Sequence, residues 1–147
     1  MSDRVPPHVR SRMMAGIGAK DTKPELFVRR ALHAAGYRYS LHSKKLPGRP
    51  DLVLTRHKAV IFVHGCFWHG HGCRHFKLPA TRTEFWAAKI EGNRARDDRT
   101  IKALLEAGWR VAVVWECIQR NGEWSASEVV EAISSWLEST DRTLELH

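Results

Sequence analysis

At 147 residues and 43% hydrophobic content, the chain is long enough for one buried core and short for two ordinary domains. It has no run of about 18 apolar residues, the length a membrane-spanning helix needs, and its first seven residues lack the apolar stretch of a secretory signal; a cytoplasmic protein is expected. The formal net charge of +8 is uneven: residues 1–58 carry 13 Lys/Arg against 4 Asp/Glu, and the remainder is close to balance. A basic front half on a small domain is the electrostatic footprint of a nucleic-acid binder.

Residues 1–20 hold Arg4, Arg10, Arg12 and Lys20 among prolines and glycines, which reads as a basic arm ahead of a single domain over 21–147. Thr22 and Glu25 have the spacing of a helix-opening capping box, Pro24 suits the first turn, and Gly36 suits the stop. Tyr37, Tyr39 and Leu41 alternate with polar residues, predicting a half-buried strand. After the tight Leu46-Pro47-Gly48-Arg49-Pro50 segment, Asp51–Leu54 and Ala59–His64 predict an antiparallel hairpin around the polar 55–58 turn. Residues 65–79 have no periodicity and are rich in Gly, Cys, His and aromatics. Two helices are expected over 84–90 and 93–107, the second stopped by Gly108. A central strand is expected over 109–115. Ser125-x-x-Glu128 opens a last helix with Val129, Val130, Ile133, Trp136 and Leu137 as its apolar stripe.

Three cysteines cannot all pair with one another, and closely spaced Cys and His in a reducing compartment point to metal before disulfide. Cys66, His71 and Cys73 lie in one short loop, and Cys117 follows a strand. Three thiolates and one imidazole form the closed tetrahedral set of structural zinc, with His69 or His75 as alternatives to His71. The bland reading is three buried, reduced thiols in a His-rich loop.

A second cluster follows from strand geometry. Alternate residues share a face, so Phe62 and His64 point the same way, and a tight 55–58 turn brings Asp51 opposite or diagonal to them. Glu25 from the first helix and His69 from the following loop add a second carboxylate and a second imidazole. Carboxylates hold a hard cation such as magnesium against a phosphate, and imidazoles move protons near neutral pH. Taken singly, each residue has a plainer explanation: Glu25 as a helix cap, Asp51 as a turn residue, His64 and His69 as spare histidines.

The runs Leu46-Pro47-Gly48-Arg49-Pro50-Asp51 and Ile61-Phe62-Val63-His64-Gly65-Cys66-Phe67-Trp68-His69-Gly70-His71-Gly72-Cys73 resemble the very short patch repair (Vsr) mismatch endonuclease family. So do Pro79-Ala80-Thr81-Arg82-Thr83-Glu84-Phe85-Trp86, Gly108-Trp109-Arg110-Val111 and Val114-Trp115-Glu116-Cys117. The resemblance extends from about Arg10 to Cys117 and is weaker in the last helix. It implies an α/β, restriction-endonuclease-like fold, a central mixed β-sheet flanked by α-helices. It implies Asp51 as the magnesium ligand, assisted by the backbone carbonyl of Val63, with Glu25, His64 and His69 completing the catalytic site. The family commonly has a hydroxyl residue where this chain has Val63, a change that a carbonyl ligand survives. Cys66, His71, Cys73 and Cys117 are then the zinc ligands, and Phe67, Trp68 and Trp86 the aromatics that wedge between base pairs. The implied substrate is double-stranded DNA with a T·G mismatch left by deamination of 5-methylcytosine, nicked 5′ to the thymine for repair synthesis.

Arg10, Arg12, Lys20 and Arg49 are expected on phosphates, and repair proteins are candidate partners of a monomer in the bacterial cytoplasm. Trp109, Trp115 and Trp136 lie in periodic apolar runs and are expected in the core; helical position alone would place Trp86 there too. A zinc-stabilised DNA-binding module without chemistry is the rival class, and a nuclease of this fold with another mismatched or branched target is a third. The rival module leaves the grouping of Asp51, His64, Glu25 and His69 unexplained.

Overall fold

The structure is a computed structural model that describes residues 21–73, 77–120, 122 and 124–147. Arg10, Arg12, Lys20 and His75 lie outside the described residues.

Helix α1 (Lys23–Ala34) opens on Thr22, whose side chain accepts the Glu25 N–H at 3.4 Å, and Pro24 occupies its first turn. The reciprocal half of the expected capping box is displaced by one residue, because the Glu25 carboxylate takes the Asp21 N–H. Gly36, at φ +97°, follows the helix in the left-handed region that ends helices cheaply. Strand β1 is short (Ser40–Leu41); Tyr37 and Tyr39 precede it and pack on the core rather than extending the ladder. Strands β2 (Leu52–Leu54) and β3 (Ala59–His64) form the expected antiparallel hairpin, joined by a 3-10 turn (Thr55–His57) and Lys58 at φ +50°.

Helix α2 (Thr83–Glu106) runs without a break, so the two helices expected over 84–90 and 93–107 are one. Strand β4 (Arg110–Trp115) pairs parallel to β3, and α2 is the crossover such a pair requires. A four-residue helix α3 (Cys117–Arg120), helix α4 (Ala126–Glu138) and strand β5 (Thr143–Leu146) complete the chain. Neither α3 nor β5 was expected from the sequence. Ser125 and Glu128 make the full reciprocal capping box on α4.

The five strands lie in chain order, β1 to β3 antiparallel and β3 to β5 parallel. Alternation along the strands splits the core in two. Leu52, Leu54, Ile61, Ala112 and Val114 meet α1 through Val28 and Leu32, and α4 through Val129, Ile133 and Trp136. Val53, Val60, Phe62, Val111, Val113 and Trp115 meet α2 through Leu104 and Ile101, with Trp109 packed alongside. The result is a mixed sheet with helices on both faces, an α/β architecture. Among the described residues no helix is long and apolar enough to cross a membrane.

Candidate active site and metal centre

Two groups of side chains lie by the end of β3, Asp51 with Glu25 and His64 with His69 and Asp97. Asp51 immediately precedes β2, and its Oδ2 accepts the Val63 N–H at 2.7 Å. Along β3 the ladder to β4 begins with the Lys58 carbonyl accepting Arg110 N–H and ends with the His64 carbonyl accepting Glu116 N–H. Odd-numbered residues therefore turn their backbone groups toward β2. β2 starts opposite Ile61, so the N–H and C=O of Val63 face the Asp51 carboxylate beyond the end of β2.

Burial pushes the Asp51 carboxyl up to about 7; the Val63 N–H opposes that rise, nearby Glu25 adds to it, and His42 lowers it. Glu25 comes from the first turn of α1 and is 2% exposed. Its Oε1 accepts the Asp21 N–H at 3.2 Å, and its Oε2 accepts from Arg29 at 3.1 Å and from His42 Nε2 at 2.8 Å. A buried carboxylate with this many donors is held in a single orientation.

His64 is the next residue along β3 and points to the opposite side of the sheet, with Phe62, toward α2. It is buried, and its ring stacks on His69 with centroids 3.8 Å apart and planes 5° apart. Burial lowers its titration to about 3, the neighbouring His69 lowering it further and Asp97 opposing, so it stays neutral at physiological pH. His69 Nδ1 lies 2.5 Å from Asp97 Oδ2 on α2. One turn earlier on the same helix, Asn93 donates to the Trp68 carbonyl at 2.8 Å, so an i, i+4 pair on α2 grips the loop twice. Gly70 (φ +64°) sits against α2, where an added Cβ would lie 2.6 Å from Ile90 Cγ2.

Cys66, His71, Cys73 and Cys117 bring their ligand atoms within 4.8 Å of one another. Tetrahedral bonds of roughly 2.0–2.3 Å to sulfur and nitrogen put ligands about 3.3–3.8 Å apart, so the cluster closes on a metal ion with little movement. Cys117 Sγ and His71 Nδ1 are 3.8 Å apart. Burial raises the thiols of Cys66 and Cys117, with the crowding Cys73 thiol adding to the effect at Cys66; a cation would reverse this balance. His69 stands outside this set, in the His64–Asp97 group. The Trp115 indole lies between the two centres: it stacks on His71 at 4.2 Å and meets His64 edge-on at 5.3 Å. Its Nε1 donates to Glu145 on β5 at 2.7 Å.

Phe67, Trp68 and Trp86 form one half-buried cluster, with ring centroids 5.2–5.9 Å apart, at the start of α2. Trp86 is thus outside both cores. Phe85 beside it is 46% exposed under the Arg82 guanidinium. Arg49 is exposed at φ +49° in the turn closed by its N–H to the Leu46 carbonyl. Gly48 in that turn lies so close to α2 that an added Cβ would be 2.3 Å from Thr100 Cγ2.

Two site residues escaped the sequence reading. Asp97 reads as one charge on a solvated helix face; its signal was the Asn93–Asp97 spacing, which only a loop packed against α2 makes meaningful. His42 reads as a lone polar residue after a strand, and nothing in its neighbours points to Glu25.

A family profile described as DNA mismatch endonuclease Vsr matches residues 2–75. The chain is 55% identical to the Type II nicking enzyme V.XorIIP of Xanthomonas oryzae pv. oryzae over 117 residues, 80% of this chain and 86% of the relative. It is 46% identical to the DNA mismatch endonuclease Vsr of Escherichia coli (strain K12), over 87% of this chain and 83% of that protein. The Type II nicking enzyme V.NmeAIP of Neisseria meningitidis is 43% identical over 82% of this chain and 86% of its own length. With a profile match over half its length and relatives this similar over most of it, the chain belongs to the DNA mismatch endonuclease Vsr family.

Proposed function

We propose that this protein nicks duplex DNA on the 5′ side of the thymine in a T·G mismatch, using a restriction-endonuclease-like fold, a catalytic magnesium ion and a structural zinc ion. The observation that carries the reading is the Asp51 carboxylate fixed on the Val63 N–H at the strand end, one residue before the His64–His69–Asp97 group.

The donor set fits magnesium, which takes oxygen ligands and is usually held by one or two carboxylates with waters and phosphate. Asp51 and the Val63 carbonyl would hold it, and a carboxyl raised to about 7 by burial is one that a cation would return to its ionised form. When bound, magnesium polarises the scissile phosphate and acidifies the attacking water. Glu25, oriented by Arg29 and His42, sits beside Asp51. His69 turns Nδ1–H to Asp97, which leaves Nε2 to take the proton of the attacking water, and Asp97 stabilises the imidazolium that forms. His64, buried and neutral, packs the His69 ring in place without adding a competing charge.

The Cys66–His71–Cys73–Cys117 set, rich in soft thiolates, suits zinc and ties the catalytic loop to the end of β4. Phe67, Trp68 and Trp86 wedge into the duplex; unstacking costs a few kcal/mol, less where pairing is already faulty, which favours a mismatch. Arg49 and the basic arm meet phosphates.

Duplexes carrying each mismatch, beside a paired control, test the target: with magnesium, nicking is expected on T·G and absent from the paired strand. Equal nicking of the paired control would remove mismatch recognition from the reading. Asp51→Asn is expected to abolish nicking while keeping affinity for the T·G duplex, since a metal ligand is lost and the DNA surface is not.

A further inference from the structure

The Glu25 carboxylate and the Asp51 backbone are both held by a residue to which neither the motifs nor the relatives assign a role. We infer that His42 is a positioning residue for nicking, acting through Glu25. Its ring Nε2 donates to Glu25 Oε2 at 2.8 Å, and its own N–H donates to the Asp51 carbonyl at 3.0 Å. The inference rests on the reading of Glu25 and Asp51 as members of the catalytic site.

The backbone geometry argues that the side chain is there for a purpose. His42 sits at φ +48°, in the left-handed region that glycine or asparagine occupies at lower cost. Glycine there would preserve the N–H to Asp51 and relieve the backbone, so turn formation alone does not call for an imidazole. What the imidazole adds is the bond to Glu25. That carboxylate is 2% exposed, and a second side-chain donor to it, Arg29, is shared with Asp21 at 2.6 Å. Removing His42 leaves Oε2 to a guanidinium already pulled toward a different acid, and Glu25 loses one of the donors that orient it beside Asp51. Partners of this kind behind active-site carboxylates commonly matter ten- to hundredfold in activity.

His42→Gly and His42→Gln separate the side chain from the backbone. Glycine keeps the turn and loses the donor, while glutamine keeps a donor at similar reach. In single-turnover nicking of a saturating T·G duplex, His42→Gly is expected to slow the step by about tenfold or more, with duplex affinity and melting temperature held. His42→Gln is expected to recover most of the rate. The double variant His42→Gly with Glu25→Gln is expected to be no slower than Glu25→Gln alone, because both changes act on one carboxylate. Without metal or DNA, the imidazole 15N spectrum should show His42 protonated at Nε2, with a slowly exchanging proton that becomes fast in Glu25→Ala. A His42→Gly rate within twofold of the parent, no recovery with glutamine, additive losses in the double variant or a ring protonated only at Nδ1 would overturn the inference. An Asp51→Asn variant that nicks at the parent rate would instead overturn the catalytic reading beneath it, which a parent-like His42→Gly alone leaves standing.

Discussion

Asp51 sets a price on stability that its chemistry imposes. With its folded carboxyl raised to about 7 from an ordinary value of 3.8, the metal-free native state holds this proton more tightly than the unfolded chain does. Its contribution is therefore greatest below about 3.8 and is lost as pH rises through about 7. Asp51→Asn removes the charge and keeps an oxygen for the Val63 N–H. In metal-free thermal melts at pH 8 the variant should be more stable, by on the order of a few kcal/mol, and the gap should close by pH 4. Equal melting at pH 8 would show that the carboxylate is not desolvated. His64 has the opposite slope: lowered to about 3, it costs stability as pH falls below 6.5 and the unfolded chain takes up the proton. Asp51 and His64 were legible because they sit on a hairpin whose register the sequence predicts. Glu25 was legible as a motif position and a helix cap, with no hint of its burial. Asp97 and His42 were not, since each gains meaning only from a contact across 28 or 17 residues.

At the level of elements, Gly92 explains why α2 was expected as two pieces. Glycine costs about 1 kcal/mol within a helix, which reads as a break. The helix continues because Ile90 on one side, and Asn93 and Asp97 on the other, are anchored on the loop that carries His69. Gly92 itself is exposed, and an added Cβ would meet nothing within 4 Å. Gly92→Ala should thus raise stability by about 0.5–1 kcal/mol in urea unfolding, with nicking unchanged. Strand β5 was missed because four residues with alternating exposure, next to the charged 138–142 stretch, give little periodic signal; pairing with β4 makes the strand. Arg110 at the start of β4 secures that end. Its guanidinium donates to the carbonyls of Trp136, Leu137, Ser139 and Asp141 and lies over the Trp136 ring. Lysine lacks the planar fork that reaches these acceptors together. Arg110→Lys is expected to cost about 1–3 kcal/mol, measured by urea unfolding of the metal-loaded protein. A loss under 0.5 kcal/mol, the scale of ordinary surface substitutions, would show that the cap is dispensable.

For the whole molecule, zinc bound as proposed would make the Cys and His cluster the largest single tie among the described residues. Structural zinc contributes roughly 10–16 kcal/mol in small zinc-dependent folds, while a domain's net stability is about 5–15 kcal/mol. Removing metal with a strong chelator should lower the melting temperature sharply and stop nicking; zinc, not magnesium, should restore the melting temperature, and nicking should return only when magnesium is supplied as well. An unchanged melting curve would leave the thiols as ordinary core residues. The hairpin, the apolar strand over 109–115 and the capped helices were legible from residue patterns, whereas the mixed sheet flanked by helices was implied only by the family resemblance.

The acids and the imidazoles reach the end of β3 from opposite layers: Glu25 rides on α1, and His69 is steered by Asp97 on α2. Their mutual alignment therefore depends on how both helices seat against the one sheet. A substitution in either layer that tilts a helix by a few degrees, far from any DNA, would then detune the turnover while leaving folding and substrate capture intact.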